Sequence, residues 1–362
     1  MRGMQISGIG LAGGFGCGQE ELRAALAQGE VEPSLCTTAG GSSLPVYRAA
    51  TTALAGYLNK RVLRRIDHFS RLALLGAFQA LEDAETRFDV VPDKSRLGLV
   101  LCSGFGALNT TFRFLDSVID DGDPFASPTA FSNSVHNAAA AHISMQLGIT
   151  GPGQTLSQFD HSFVSGVQQA QLWLNEGRVD AVLMGVVDEY SSVLGYCWER
   201  LLGIDASTRM RPFAAHPTSA IAGEGAAFFL LKQQGSEQGY ALISQADSGN
   251  LRGSTLQLPP ATPLVLGCEG HPATTAMYQE HIPAHTDVAC YTPLYGASPV
   301  APGFDMAIAA LALERGAMFP TTGVAPGTDL CWDPVRDAIA GERVACVDFG
   351  MGGEYSMIHL QC

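Results

Sequence analysis

Apolar residues along the chain fall into two recurring patterns, short buried runs and stripes of helical period. Their alternation predicts an α/β layered fold. Residues 4–9 read as a short buried strand closed by the glycines at 8, 10, 13 and 14, and residues 20–28 as a helix ended by Gly29. A longer helix is expected over 66–86, where Ile66, Phe69, Leu72, Leu75, Phe78 and Leu81 keep a stripe of 3.6-residue period. A strand over 96–101 breaks at Ser103-Gly104, and the helix 107–120 carries Leu108, Phe112, Leu115 and Ile119 on one face. Then come a small-residue helix (137–147), a strand (154–159), a helix (162–175) and two buried strands (180–187 and 226–231). The polar, Gly-containing stretch 233–238 is the natural boundary between two halves, 1–235 and 236–362, packed as one unit. The second half is shorter, with strands over 264–267, 287–291, 343–349 and 355–360 and a helix over 304–315 stopped by Gly316.

Composition narrows the functions open to such a fold. The formal charge is −14, from 35 acidic and 21 basic residues, which disfavours nucleic acid as a partner. No apolar run is long enough to span a bilayer, and no secretory leader is visible, so a cytoplasmic location is expected. The nine cysteines are scattered without a C-x-x-C pair, which argues against a disulfide framework or a zinc site. His281 and His285 stand four apart, but Pro283 between them spoils a helical ligand pair, so no metal is expected.

One motif suggests a nucleotide. Gly8-Ile9-Gly10-Leu11-Ala12-Gly13 spells G-x-G-x-x-G after a strand, but helical periodicity resumes only near Gln19. A dinucleotide site needs the helix N-terminus directly behind the glycines, so no cofactor is expected. Ser157, Asp160, His161 and Ser162 crowd together as hydrolase residue types, yet no G-x-S-x-G elbow accompanies them.

Seven blocks in order carry a stronger signal. They are Ser7-Gly8-Ile9-Gly10, Arg64-Arg65-Ile66-Asp67-His68-Phe69, Leu99-Val100-Leu101-Cys102-Ser103-Gly104, the stretch 133–143, Gly151-Pro152, Arg211-Pro212-Phe213 with Gly223-Glu224-Gly225-Ala226, and Asp348-Phe349-Gly350-Met351-Gly352-Gly353. Together they resemble the β-ketoacyl synthase branch of the thiolase fold, across nearly the whole chain. The resemblance implies a duplicated α/β/α/β/α five-layer sandwich.

In that family a cysteine opens a helix eight residues after the Gly-Pro proline. That count lands on Asp160, and the spacing back from Asp180 agrees. A helix N-terminus turns a thiol into a thiolate able to accept an acyl chain, whereas a carboxylate is a poor acceptor. Asp160 is therefore expected to cap the helix 162–175. The first family histidine falls on Glu269 of Gly267-Cys268-Glu269-Gly270-His271, with His271 a substitute if the register slips by two. The family lysine and second histidine fall on Thr292 and Ala297. All four catalytic positions are vacated, so no catalytic residue for condensation is assigned.

The resemblance then implies a non-condensing subunit, similar to the chain length factors of type II polyketide and aryl-polyene systems. Its partner would be an active ketosynthase in a heterodimer, with acyl carrier protein reached through that partner. The alternative is an enzyme on the same fold, such as a malonyl-carrier decarboxylase using Asp160 or Glu269. Thr111, Phe112 and Leu115 are tunnel-floor candidates, with core packing as the competing role. Met351 takes the place of the family's gating phenylalanine, or merely fills the core. Lys60, Arg61, Arg64 and Arg65 are candidate carrier contacts, against a reading as solvated charge. The chain also departs from the family between Leu231 and Glu269, where roughly thirty residues are missing. Ala214-Ala215-His216-Pro217 replaces a family Asp-Arg-Asp-Gly run.

Overall fold

A computed structural model describes residues 3–206, 208–214, 217–235, 239–253, 255–324, 331–335 and 342–362. Ala215 and His216 of the replaced run, and 236–238 of the expected boundary, lie outside these residues. The first half contains β1 (Met4–Gly13), β2 (Gly16–Cys17), α1 (Gln19–Gln28), β3 (Ser34–Thr37), β4 (Ser43–Tyr47), α2 (Lys60–Leu63) and α3 (His68–Phe88). It continues with β5 (Leu97–Cys102), α4 (Leu108–Asp121), α5 (Pro128–Ser134), α6 (Ala138–Leu147), β6 (Gly153–Leu156) and α7 (Ser162–Asn175). β7 (Ala181–Asp188), α8 (Ser192–Leu202), β8 (Ala222–Gly223) and β9 (Gly225–Gln233) complete it. The second half holds β10 (Leu242–Asn250), β11 (Leu264–Leu266), α9 (Pro272–His281), β12 (Asp287–Ala289) and α10 (Ala301–Arg315). β13 (Asp333–Pro334), β14 (Arg343–Phe349) and β15 (Glu354–Gln361) follow.

The large sheet runs β13-β12-β11-β14-β15-β10-β1-β9-β7-β5-β6, with β2 paired to the end of β1. Its pairing pattern repeats. From β1 outward the pairs are antiparallel to β9, antiparallel to β7, parallel to β5 and parallel to β6. From β10 outward the same order recurs through β15, β14, β11 and β12, and the β1–β10 pair joins the two half-sheets.

Two helices lie between the half-sheets. α10 is buried continuously from Ala301 to Leu313, the mark of a helix with sheet on both sides. It contacts β9 and β1 of one half-sheet and β14 and β15 of the other, and α7 likewise touches β5, β7, β10 and β15. Helix α3 covers the outer face of β1, β9 and β7, and α9 packs on β14. These are the five layers expected from the sequence.

β1 does not close at Ile9 as its glycines suggested. It runs on to Gly13 because Gly8 and Gly10 face the backbone of α3: an added Cβ would stand 2.2 Å from the Ala80 oxygen at Gly8 and 2.1 Å from the Gly76 oxygen at Gly10. The spacing that spells G-x-G-x-x-G thus serves helix-on-strand contact. Other differences follow from weak periodicity. β10 reads LISQADSGN, too polar to register as a strand, and is held by its full-length pairing with β15. Among the described residues, no helix is long and apolar enough to cross a membrane.

Candidate functional site

β5, β6 and β7 are parallel neighbours, so their C-terminal ends open on one edge, where sheets of this kind present ligands. The buried Asp188 at the end of β7 organises that edge. Its carboxylate accepts hydrogen bonds from Ser103 Oγ (3.0 Å), Gly104 N (2.7 Å) and Phe105 N (2.8 Å), fixing the turn into α4. Burial pushes Asp188 up to about 7, against the pull of these bonds. Ser162 Oγ donates to Ser103 O (3.0 Å) and accepts from Gln158 N (2.8 Å), tying the β6–α7 turn to the same edge.

Asp160 lies in this turn, within a single 3-10 turn formed by Phe159–His161. It does not cap α7. The position before the helix is His161, and no side chain there accepts an amide bond. The 3-10 turn sets Asp160 one residue too early and turns it toward the closing loop, where an added Cβ at Gly350 would meet its Oδ2 at 2.9 Å.

A group of carboxylates gathers around it. Glu269 is pushed up to about 8, first by burial and then by the Asp160 charge. Asp160 is itself raised, by burial and then by Glu354. Asp348 is raised well above the usual carboxylate range by burial, with Asp160 and Glu269 adding to it. Gly267 gives Asp348 room, since a Cβ there would stand 2.3 Å from its Oδ1. Asp305 on α10 is pushed to about 7 by burial and accepts a hydrogen bond from the buried Tyr295 hydroxyl. Sequence reasoning placed Asp160 and Glu269 but overlooked Asp348, although it opens the last of the seven blocks. Its proximity to the others depends on β14 lying beside β11.

The remaining predicted positions hold no replacement cation. Thr292 is buried and its hydroxyl donates to Cys268 O at 2.7 Å, supporting the loop that carries Glu269. Ala297 is buried, and its amide donates to Ile221 O at 2.7 Å. His271 does not stand in for a catalytic imidazole: its Nδ1 accepts from Ala273 N at 3.2 Å, capping α9. The hydrolase grouping also dissolves, because Ser162 Oγ is engaged with backbone and the buried His161 Nε2 has no partner. The thiols nearest in sequence are no better placed. Cys102 is buried and its thiol raised by burial, and Cys197 is exposed on α8. Such a site can share protons among carboxyl groups, and Asp160, Glu269, Thr292 and Ala297 themselves supply neither a thiolate nor a positive charge for an enolate.

This clustering predicts a pH dependence of stability. In the unfolded chain Glu269 loses its proton near 4.5, whereas in the fold it does so near 8. The folded form therefore holds the proton more tightly. The resulting contribution is complete below the unfolded value and is lost as pH rises through the folded one. Glu269→Gln, which cannot ionise, is expected to flatten that loss, gaining about 2 kcal/mol over wild type above about pH 8 relative to pH 5. Urea denaturation at the two pH values measures it, and parallel curves for the two proteins would contradict the assignment.

Beside this edge, α4 turns its apolar stripe outward. Leu115 is 43% exposed and Ile119 77%, so core packing does not explain them. Phe112 is half-buried, and Thr111 donates to Ala107 O within the helix (2.9 Å). Phe114 packs on Phe131 of α5, which is itself 56% exposed, extending the apolar face. Met351 is 58% exposed and is not core filler; with Phe159 it rims a cavity of ≈ 400 Å³ that reaches Asp160. Lys60, Arg61, Arg64 and Arg65 are all exposed, and Arg64 and Arg65 also line a separate, larger cavity.

Comparison with known proteins places this geometry. The profile of the β-ketoacyl synthase N-terminal domain matches residues 38–236, more than half of the 362. A Streptomyces virginiae protein named "Putative polyketide beta-ketoacyl synthase 1" is 27% identical over 250 residues, covering 64% of this chain and 58% of that protein. The 3-oxoacyl-[acyl-carrier-protein] synthase 2 of Staphylococcus aureus is 24% identical over 188 residues, covering 50% and 46%. The chain thus spans about half the length of these relatives. Among solved structures, the ishigamide ketosynthase/chain length factor superposes with a TM-score of 0.82 at 16% identity, covering 99% of both chains. A β-ketoacyl synthase from Burkholderia phymatum gives 0.78 at 16% identity, over 100% of this chain and 99% of that one. The shared fold is the thiolase-like sandwich.

Proposed function

The chain belongs to the β-ketoacyl synthase family, and from that premise we propose that it is a non-condensing subunit that pairs with an active ketosynthase and shapes its acyl tunnel. The observation that carries this reading is that half-buried Asp160 and Glu269 carboxyl groups, each raised by burial and then by a neighbouring carboxylate, stand where the family's condensation uses a thiolate and an imidazole. The outward apolar stripe of α4 supports a partner surface, with Thr111, Phe112 and Leu115 as tunnel floor and Met351 as a gate-loop residue. In this reading the subunit is a chain length factor of polyketide or aryl-polyene type, working in the cytoplasm. Carrier protein reaches the pair through the ketosynthase, with Lys60, Arg61, Arg64 and Arg65 as additional contacts. The halves divide at 1–235 and 236–362, between β9 and β10. No cofactor or metal enters.

The protein alone is expected to take up no acyl group from an acyl-carrier thioester, and Asp160→Cys is expected to gain little, since Glu269, Thr292 and Ala297 still supply no imidazole or ammonium. Intact-protein mass spectrometry reads this, and a stoichiometric acyl adduct on the wild-type chain would overturn the non-condensing reading. The raised Glu269, poised to give or take a proton near neutral pH, favours a second reading as a malonyl-carrier decarboxylase. In a separate incubation with a malonyl-carrier thioester, carbon dioxide release that disappears in Glu269→Gln would establish it.

A further inference from the structure

A cavity of ≈ 1100 Å³ whose lining includes no residue of the carboxylate site lies between α3, α4 and α5. Five arginines line it from separate segments: Arg48 after β4, Arg64 and Arg65 before α3, Arg71 on α3 and Arg113 on α4. They face only two lining carboxylates, Asp67 and Glu189, in a chain whose formal charge is −14. Arg48, Arg64, Arg65 and Arg113 are exposed and Arg71 is half-buried, so an anion entering the cleft meets guanidinium groups already open to solvent.

The internal partners do not supply that anion. Among the described residues only Arg48 of the five pairs with a carboxylate, the buried Glu224, at 3.1 Å. Arg113 donates to Thr110 Oγ1 (3.0 Å), and Thr110 in turn donates to Asp67 Oδ2 (2.9 Å). Arg71 spends one nitrogen on Leu63 O (2.5 Å), while its buried Nε has no acceptor. Glu189 is 2% exposed, and its Oε1 accepts from Asn109 N (2.8 Å). Its Oε2 is buried without a partner. Burial raises the Glu189 carboxyl. Unpartnered buried polar atoms in a native fold call for an explanation, and a bound group supplies one.

We propose that this cleft binds a small molecule carrying two or more negative oxyanion charges, as phosphate or carboxylate groups, gripped by Arg64, Arg65, Arg71 and Arg113. The arginine fork matches the geometry of both oxyanions, and the volume suits a metabolite rather than a lone ion. The site shares Arg64 and Arg65 with the additional carrier contacts but uses no residue of the Asp160–Glu269 group, so its failure leaves the non-condensing reading untouched.

Calorimetry on the full chain tests it with inorganic pyrophosphate and with citrate in separate titrations. Saturable binding of at least one, weakening as salt rises, is expected, and the better of the two identifies the group. The Arg65→Gln/Arg113→Gln double variant should bind about tenfold or more weakly. Lys60→Gln/Arg61→Gln, on exposed α2 outside the cleft, should bind as wild type. Arg113→Lys keeps charge and bulk, so weaker binding by this variant still supports the site should the double variant fail to fold. No saturable binding of either anion, or equal affinity in the Arg113→Lys and double variants and wild type, overturns the proposal. Binding of polyglutamate with neither small anion also overturns it, in favour of an acidic protein segment.

Discussion

Gly10→Val is expected to prevent stable folding, with a loss of about 3 kcal/mol or more. A Cβ at this position would stand 2.1 Å from the Gly76 oxygen and 2.6 Å from the Ala80 nitrogen, both backbone atoms of α3. Neither can move without lifting the helix from β1, β9 and β7 together. Gly29→Ala is the matched control. Gly29 has φ 81 at the end of α1 but nothing within 4 Å of its added Cβ, so only the left-handed backbone is penalised, at about 1 kcal/mol. Urea midpoints compare the two. Similar losses would show that the glycines of β1 are not close-contact residues, and a variant that folds but loses nucleotide affinity would revive the G-x-G-x-x-G reading.

Leu115→Asp combined with Ile119→Asp is expected to leave the isolated chain within about 0.5 kcal/mol of wild type, because both side chains already face solvent. In the proposed pairing, association with an active ketosynthase is expected to fall by about a hundredfold or more, close to 3 kcal/mol, since two carboxylates would be buried at that interface. Sedimentation of the mixed proteins measures the change. Undiminished association would remove α4 from the interface, and self-association of the wild-type chain lost in the variant would identify a second copy as the partner on this face.

How much of this was legible beforehand depended on the kind of signal. α7 was readable to its ends because its apolar positions repeat at helical period between Ser162 and Asn175. β14 was readable because Val344 to Val347 is a continuous apolar, buried run inside it. β10 was not, since its hydrogen bonds to β15 hold a polar stretch that local preference would leave irregular. The same contrast applies at the site. The absence of cysteine at position 160 is a fact of the sequence, and Asp160 as a cap was a sound inference from residue type. The 3-10 turn at Phe159–His161 reversed that inference, and nothing in the local residues announced it.

The amino-acid order by itself determined the alternation of strands and helices, the family resemblance, and that the residues at 160, 269 and 297 are Asp, Glu and Ala rather than Cys or His. It also determined that α4 has an apolar stripe, because a stripe is a matter of spacing. Only the tertiary structure decided that this stripe turns outward, that Asp348 joins Asp160 and Glu269, and that arginines from separate segments converge on one cleft. Periodicity records which side of an element is apolar, but not what that side meets. Charges distant in sequence become neighbours only through sheet order and helix packing, and it is their separation in space that sets their protonation and the ligands they can hold.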